Sequence, residues 1–407
     1  MHSNYKRLGD YIRLVDERNR NLEISNLAGL TINKNFITSV ANVVGTDMST
    51  YKIIRKNQFA CSVMQVRRDK KMPVALWKKN EPGIISQAYP IFEIVDEGSL
   101  SPDYLMMWFT RSEFDREACF LAVGGVRGSL EWEDFLNMKF PLPSLEKQKE
   151  IVAEYQAVEQ RILLNKKLCW KLEETAQTIY KHWFEDFEFP VENKEERTKS
   201  KESHNHQPST THPTYKSSGG KMVYNEELGK EIPEGWNLQP IKEIATLSAG
   251  GDRPNVFSNI KSTECRIPIY SNGVTDEGLY GFTNEAKIFK KSISISARGT
   301  IGFCVLRDEP FVPIVRLIVV IPNEDFFAKY LFDYINKFEF DDSGSVQNQL
   351  TVPQLTAFKI LIPQNEIVKK YDGIIGNLIK KIKLITRQTQ KFEELKSLLL
   401  GKMAVEN

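Results

Sequence analysis

The sequence predicts an α+β protein made of two β-rich domains, each followed by a long helix, with the two helices pairing as an antiparallel coiled coil. Three observations carry that prediction. Residues around 126–183 return around 346–403 at a constant offset: Val126, Leu130, Lys139, Pro143 and Glu146 align with Val346, Leu350, Lys359, Pro363 and Glu366. In the same register Lys171, Leu172, Glu173 and Glu174 match Lys391, Phe392, Glu393 and Glu394. Each copy ends in a helix with a heptad seam, and a stretch without aliphatic residues separates the copies.

In chain order the expected domains are a β-rich domain over 1–144, a helix over 145–185, an exposed linker over 186–222, a second β-rich domain over 223–364 and a second helix over 365–407. In the first domain the runs from Phe59 to Val66 and from Pro90 to Val95 have strand-like content. In the second, Lys287 to Ser296 alternates and Ile314 to Ile321 reads as a buried strand. Short helices are expected near Pro102 to Arg111 and Asp325 to Lys337, and loops at Ser271-Asn272-Gly273 and Arg298-Gly299-Thr300.

The long helices give the clearest pattern. Ile151, Tyr155, Val158, Ile162, Asn165, Cys169, Leu172, Ala176, Ile179 and Trp183 follow a 4,3 spacing with one polar member. The repeat places Tyr371, Ile375, Leu378, Ile382, Ile385, Thr389, Phe392, Lys396, Leu399 and Met403 in the same frame. Asn165 is expected to fix register, since a polar seam residue penalises misalignment. Both helices begin after a proline, Pro143 and Pro363, so an antiparallel pair would act as a ruler between the β-rich domains. The alternative is two amphipathic core helices in unrelated bundles.

The linker, between Glu192 and Gly220, has one aromatic residue, Tyr215, and cannot offset its ordering entropy by burial. His204, His206 and His212 lie there without a surrounding ligand set, so no metal site is expected. The five cysteines, Cys61, Cys119, Cys169, Cys265 and Cys304, have no paired spacing, which fits reduced thiols. With a polar beginning and no long apolar run, the expectation is a cytoplasmic protein with no membrane partner. The net charge of +2 does not announce nucleic acid. Local clusters do more: Arg67, Arg68, Lys70, Lys71, Lys78 and Lys79 in the first copy, and Lys287, Lys290, Lys291 and Arg298 in the second.

Catalytic signatures are missing. Gly124-Gly125-Val126-Arg127-Gly128 lacks the Lys-Ser/Thr of a phosphate loop. There is no nucleophile elbow, zinc-protease helix, deaminase signature, methyl-donor loop or adenine-methyltransferase tetrad. The expectation is a reader without a reaction, which binds no cofactor itself.

The sequence resembles the DNA-specificity (S) subunit of Type I restriction-modification enzymes over nearly its whole length. The resemblance rests on Phe140-Pro-Leu-Pro-Ser-Leu-Glu-Lys-Gln-Lys-Glu-Ile-Val at the first junction, Leu228-Gly-Lys-Glu-Ile-Pro-Glu-Gly-Trp236 entering the second copy, and Ile295-Ser-Ala-Arg-Gly-Thr-Ile-Gly302. Two departures stand out. The second junction, Ile360-Leu-Ile-Pro-Gln-Asn-Glu-Ile-Val, lacks the Glu-x-Gln of the first, and the first copy has Gln65-Val-Arg67-Arg68 near the place of Ala-Arg-Gly-Thr.

The resemblance implies a non-catalytic subunit with two target-recognition domains, each reading half of a split site in double-stranded DNA. Two methyltransferase (M) subunits bring S-adenosylmethionine, and two restriction (R) subunits bring ATP and Mg. Expected DNA contacts are Arg67, Arg68 and Arg127 in the first domain and Ser271, Asn272, Arg298 and Gln347 in the second. Arginine can read guanine, and asparagine or glutamine adenine. Lys70, Lys71, Lys290 and Lys291 suit phosphates. The specificity chain of a Type IIB-like system and a non-catalytic coiled-coil scaffold are the alternatives.

Overall fold

The computed structural model describes residues 5–39, 45–125, 128–191, 213–338 and 349–403. Arg127 and Gln347, and the three histidines of the linker, lie outside the described residues. The chain forms two compact units, Met1–Lys167 with Thr386–Asn407, and Leu168–Ile385. Each unit therefore takes one β-rich part and a piece of both long helices.

In the first unit an antiparallel sheet has the order Ile12–Val15, Ile91–Ile94, Phe59–Cys61, Val74–Leu76. A ribbon of Tyr5–Arg7 with Lys139–Pro141 closes the domain on itself. Aromatic packing covers the face of the sheet that carries Phe59 and Phe92. Phe59 stacks on Phe92 at 5.0 Å, Phe109 and Phe135 meet this pair edge-on, and Phe114 meets Phe109 edge-on. Such pairs add about 0.5–1.5 kcal/mol each beyond area burial. Val152 and Tyr155 of the long helix Leu145–Phe184, and Met403, join the same core.

In the second unit the sheet order is Ala245–Ala249, Ile318–Pro322, Ser292–Ile295, Cys304–Arg307. The ribbon is Asn237–Pro240 with Lys359–Ile362. Strand order and ribbon repeat those of the first unit: first strand, last, second, third. The duplication thus extends into the β-rich parts, where unequal loops hide it from a fixed sequence offset. Tyr180, Trp183, Phe184, Trp236, Tyr330 and Tyr371 gather in its core. A second sheet, Leu279–Thr283, Ile267–Tyr270 and Val312–Pro313, has a counterpart in the first unit, where Ala28–Leu30 pairs antiparallel with Phe36–Thr38 and Leu27 forms a parallel bridge to Ile84.

The helices Leu145–Phe184 and Asn365–Lys402 run to 40 and 38 residues. Every described seam position is buried or half-buried, whereas Leu163, Leu164, Leu384 and Leu398, off the seam, are exposed. Within the first unit Lys396 meets Glu159 at 2.6 Å, and Glu393 meets Lys166 at 2.9 Å. Within the second, Tyr371 packs on Tyr180 with centroids 6.2 Å apart, and Ile382 lies against Cys169. Numbers fall on one helix as they rise on the other, so the helices run antiparallel in each unit.

Four local expectations are corrected. The strand from Phe59 ends at Cys61, because Gln65 turns left-handed (φ 63°) and Val66–Asp69 forms a helical turn. Ser292–Ile295 alternates in sequence but is buried on both faces, with Ser294 accepting from Arg307 Nε at 3.0 Å. The run from Ile314 is broken by a turn before the strand starts at Ile318. Part of the presumed linker packs: Phe189 stacks on Tyr215 at 4.6 Å and on Trp236 at 5.5 Å, which gives buried partners to a segment otherwise poor in them.

Candidate nucleic-acid interface

In the second unit the strands Ala245–Ala249 and Ser292–Ile295 end where Ile318–Pro322 begins, since Ala249 and Ile295 both pair with Ile318, and Ile267–Tyr270 ends close by, where Ile314 N donates to Tyr270 O at 2.9 Å. Their loops therefore converge. Asn272 ties them: its Oδ1 accepts from Ala297 N at 2.7 Å and its Nδ2 donates to Val315 O at 2.7 Å. Gly273 N donates to Ser296 Oγ, and Gly250 N to Leu317 O. Gly250 is required here, because a Cβ would stand 2.7 Å from Ile314 N.

Beneath these loops Arg307 is buried. It lies 3.5 Å from the Tyr270 ring centroid and donates through Nη2 to Glu277 O at 2.5 Å. Burial pulls its pKa down, while Tyr270 and Glu277 oppose the shift. Asp276 and Glu277 are both left-handed, with φ 48° and 54°, so the Ser271 to Gly278 loop is held against its own preference.

The expected contacts separate clearly here. Arg298 is exposed and donates through Nε and Nη2 to Gln349 Oε1 at 3.1 and 2.8 Å. Ser271 closes its loop through Ser271 N to Gly278 O. Asn272 spends both ends of its amide on backbone. Lys290 is exposed, whereas Lys291 is held by Asp372 at 3.0 Å.

The first unit carries the matching loop. Leu130 N donates to Val63 O just as Leu350 N donates to Ala297 O. Met64 therefore stands where Arg298 stands, and left-handed Gln65 (φ 63°) where Gly299 (φ 72°) stands. Arg67 donates to Gly124 O at 2.9 Å, and Arg68 pairs with Asp69, whose carboxyl it lowers. Lys70 and Lys71 are exposed. The end of this basic loop is pinned by Asp115, which accepts from Met72 N at 3.0 Å and from Lys34 Nζ at 2.8 Å. Burial lowers the pKa of Lys34, and Asp115 opposes that.

A family model for the Type I restriction modification DNA specificity domain matches residues 233–394. A Mycoplasma pneumoniae protein described as a type I specificity subunit is 34% identical over 173 residues, 40% of this chain and 48% of that protein. Another from the same organism, described as the C-terminus of such a subunit, is 35% identical over 97 residues, 24% of this chain and 67% of that protein. The chain belongs to the Type I restriction-modification specificity family. It spans about half the length of the first of these relatives, at 48%. The crystal structure of a Type I restriction-modification S subunit from M. genitalium has the same fold, with a TM-score of 0.60, 14% identity and coverage of 98% of this chain and 95% of that one.

Against that family background, two features of the loop cluster escaped the sequence reading. One is the clamping role of Asn272. The other is Arg316, exposed at the turn that interrupts the run from Ile314. Its signal was present: a single charged residue inside an otherwise apolar stretch. Among the described residues no group of three or more His, Cys, Asp or Glu is arranged to hold a metal ion, and no helix is long and apolar enough to cross a membrane.

Proposed function

We propose that this chain is the non-catalytic DNA-specificity subunit of a Type I restriction-modification complex. Each unit reads one half of a bipartite duplex site, and the chain recruits two methyltransferase (M) subunits, with two restriction (R) subunits completing the nuclease. The observation that carries this reading is the duplicated topology: the same four-strand order and closing ribbon in both units, each offering an arginine-bearing loop after the equivalent strand. A duplicated reader suits two half-sites, and different loop residues suit two different half-sequences.

Arginine forks read guanine O6 and N7, and exposed lysines hold phosphates. In this reading S-adenosylmethionine enters on the M subunits, and ATP with Mg on the R subunits. The chain itself supplies hydrogen-bond donors and a rigid frame. The test is methylation mapping by single-molecule sequencing of a host carrying this chain with its partner methyltransferase. One bipartite motif methylated on adenine in both strands is expected. Unmethylated DNA, or a single undivided motif, would overturn the reading.

A further inference from the structure

Residues 314–317 form a four-residue turn, closed by Leu317 N donating to Ile314 O at 3.0 Å. Both central residues are left-handed, Val315 at φ 51° and Arg316 at φ 60°. That pattern normally selects Asn-Gly, since a Cβ crowds the backbone there and a β-branched side chain crowds it most. Here Val-Arg occupies it. The flanking Ile314 and Leu317 are buried, while Val315 and Arg316 both project outward.

The strained turn is held from three sides. Val315 N donates to Gly251 O at 2.9 Å, Arg316 N to Gly250 O at 3.0 Å, and Asn272 Nδ2 to Val315 O at 2.7 Å. A surrounding structure that holds such an outlier in place is the arrangement from which a functional role is inferred. The neighbouring arginines are engaged: Arg307 is buried against Tyr270, Arg253 lies over Phe257, and Arg298 grips Gln349. Arg316 has no side-chain hydrogen bond or ion pair among the described residues, although its turn is held by three hydrogen bonds from neighbouring segments.

We propose that Arg316 contacts a base edge in the second half-site, and that Asn272 is the positioning residue that holds Arg316 and Arg298 in one reading surface. Asn272 binds the residue immediately before each arginine, Val315 through Nδ2 and Ala297 through Oδ1. One amide thus sets the spacing of two forks. The target chemistry is a guanine edge, the base feature that an extended guanidinium matches bidentately. This inference rests on the reading of the second unit as a DNA reader.

The experiment uses the full chain in complex with its M subunits, the mapped duplex site and every single-base substitution of it. Arg316→Gly removes the fork but suits the left-handed backbone. It is expected to lower discrimination at one position of the second half-site by about tenfold to a hundredfold. The first half-site should be read as before, and Tm should stay level or rise. Asn272→Asp keeps the acceptor and loses the donor to Val315 O. It is expected to relax the positions read by Arg298 and Arg316 together while non-specific affinity persists.

Three results overturn the proposal: full discrimination by Arg316→Gly, an equal loss on every duplex with a shallower salt dependence, or a lowered Tm. The first makes Arg316 a bystander, the second a phosphate contact and the third a structural residue. A wild-type complex with no selectivity in the second half-site would instead remove the functional reading beneath the proposal.

Discussion

Asn165 of the helix Leu145–Phe184 donates through Nδ2 to Thr389 Oγ1 of the helix Asn365–Lys402 at 3.2 Å, and both residues are buried. They are polar exceptions in two otherwise apolar seams, and they meet. Gln388 Oε1 accepts from the same amide at 3.0 Å. The third exception, Lys396, reaches Glu159 and lies over the Tyr155 ring at 5.1 Å. Antiparallel pairing in one register satisfies all of them, and a slip of one heptad would separate Asn165 from Thr389.

Asn165→Val should therefore destabilise the chain by about 1–3 kcal/mol, because polar atoms facing it lose a buried partner. Asn165→Val with Thr389→Val should recover much of that loss, since apolar replacement of both partners is nearly neutral. Urea unfolding measures both. The double variant should also form cysteine cross-links in shifted registers, which the wild type should not.

Arg298→Ala should cost about 1–3 kcal/mol on the cognate duplex and relax one position of the second half-site. Lys290→Ala should weaken binding to all sequences alike and lower the salt slope by about 1. Titrations against a substitution panel across a salt series separate the two. Gln349→Ala, which frees the Arg298 fork, should alter discrimination at the same position as Arg298→Ala and at no other.

Exchange of the first β-rich domain for that of a homologue should change one half of the methylated motif and leave the other intact. The exchange must run through residue 142, because Tyr5 pairs with Pro141 across the closing ribbon and an earlier cut would divide it. Methylation mapping of the hybrid is the measurement. A change in both halves would remove the two-reader model.

Seven residues inserted in phase into both long helices should lengthen the spacer tolerated between half-sites. Each heptad adds roughly 10 Å of helix, about three base pairs of duplex rise. Mapping the spacer of the motif methylated by the variant complex checks this. An unchanged spacer with retained methylation would show that the helices do not set it.

Glu188 accepts from Ser217 Oγ at 2.6 Å and Ser217 N at 3.1 Å, and these bonds, with one from Thr214, hold its carboxyl down at about 2. A depressed folded pKa gives stability that is present above the ordinary 4.5 and lost as pH falls toward about 2. Amide exchange in residues 213–220 should accelerate across that window. Glu188→Gln should flatten the dependence.

The sequence by itself determined the two-copy plan and the helix seams, and singled out Asn165 in the first of them. A seam is a one-dimensional property: a 4,3 spacing fixes which side chains share a face before any partner is known. The short helices at Pro102–Thr110 and Phe327–Asn336 were also legible. The tertiary structure alone decided the loops. Asn272 has the chemistry of an adenine reader, yet backbone groups from residues 297 and 315 occupy both ends of its amide. Arg316 lies inside a run that reads as a buried strand, yet it is exposed because Gly250, Gly251 and Asn272 hold its turn. The buried alternation of Ser292–Ile295 and the packing of Phe187 and Phe189 on Trp236 depend likewise on what lies across from them. Local periodicity reports which face a residue shares with its neighbours in sequence, whereas a loop side chain takes its role from segments brought beside it by strand pairing far along the chain.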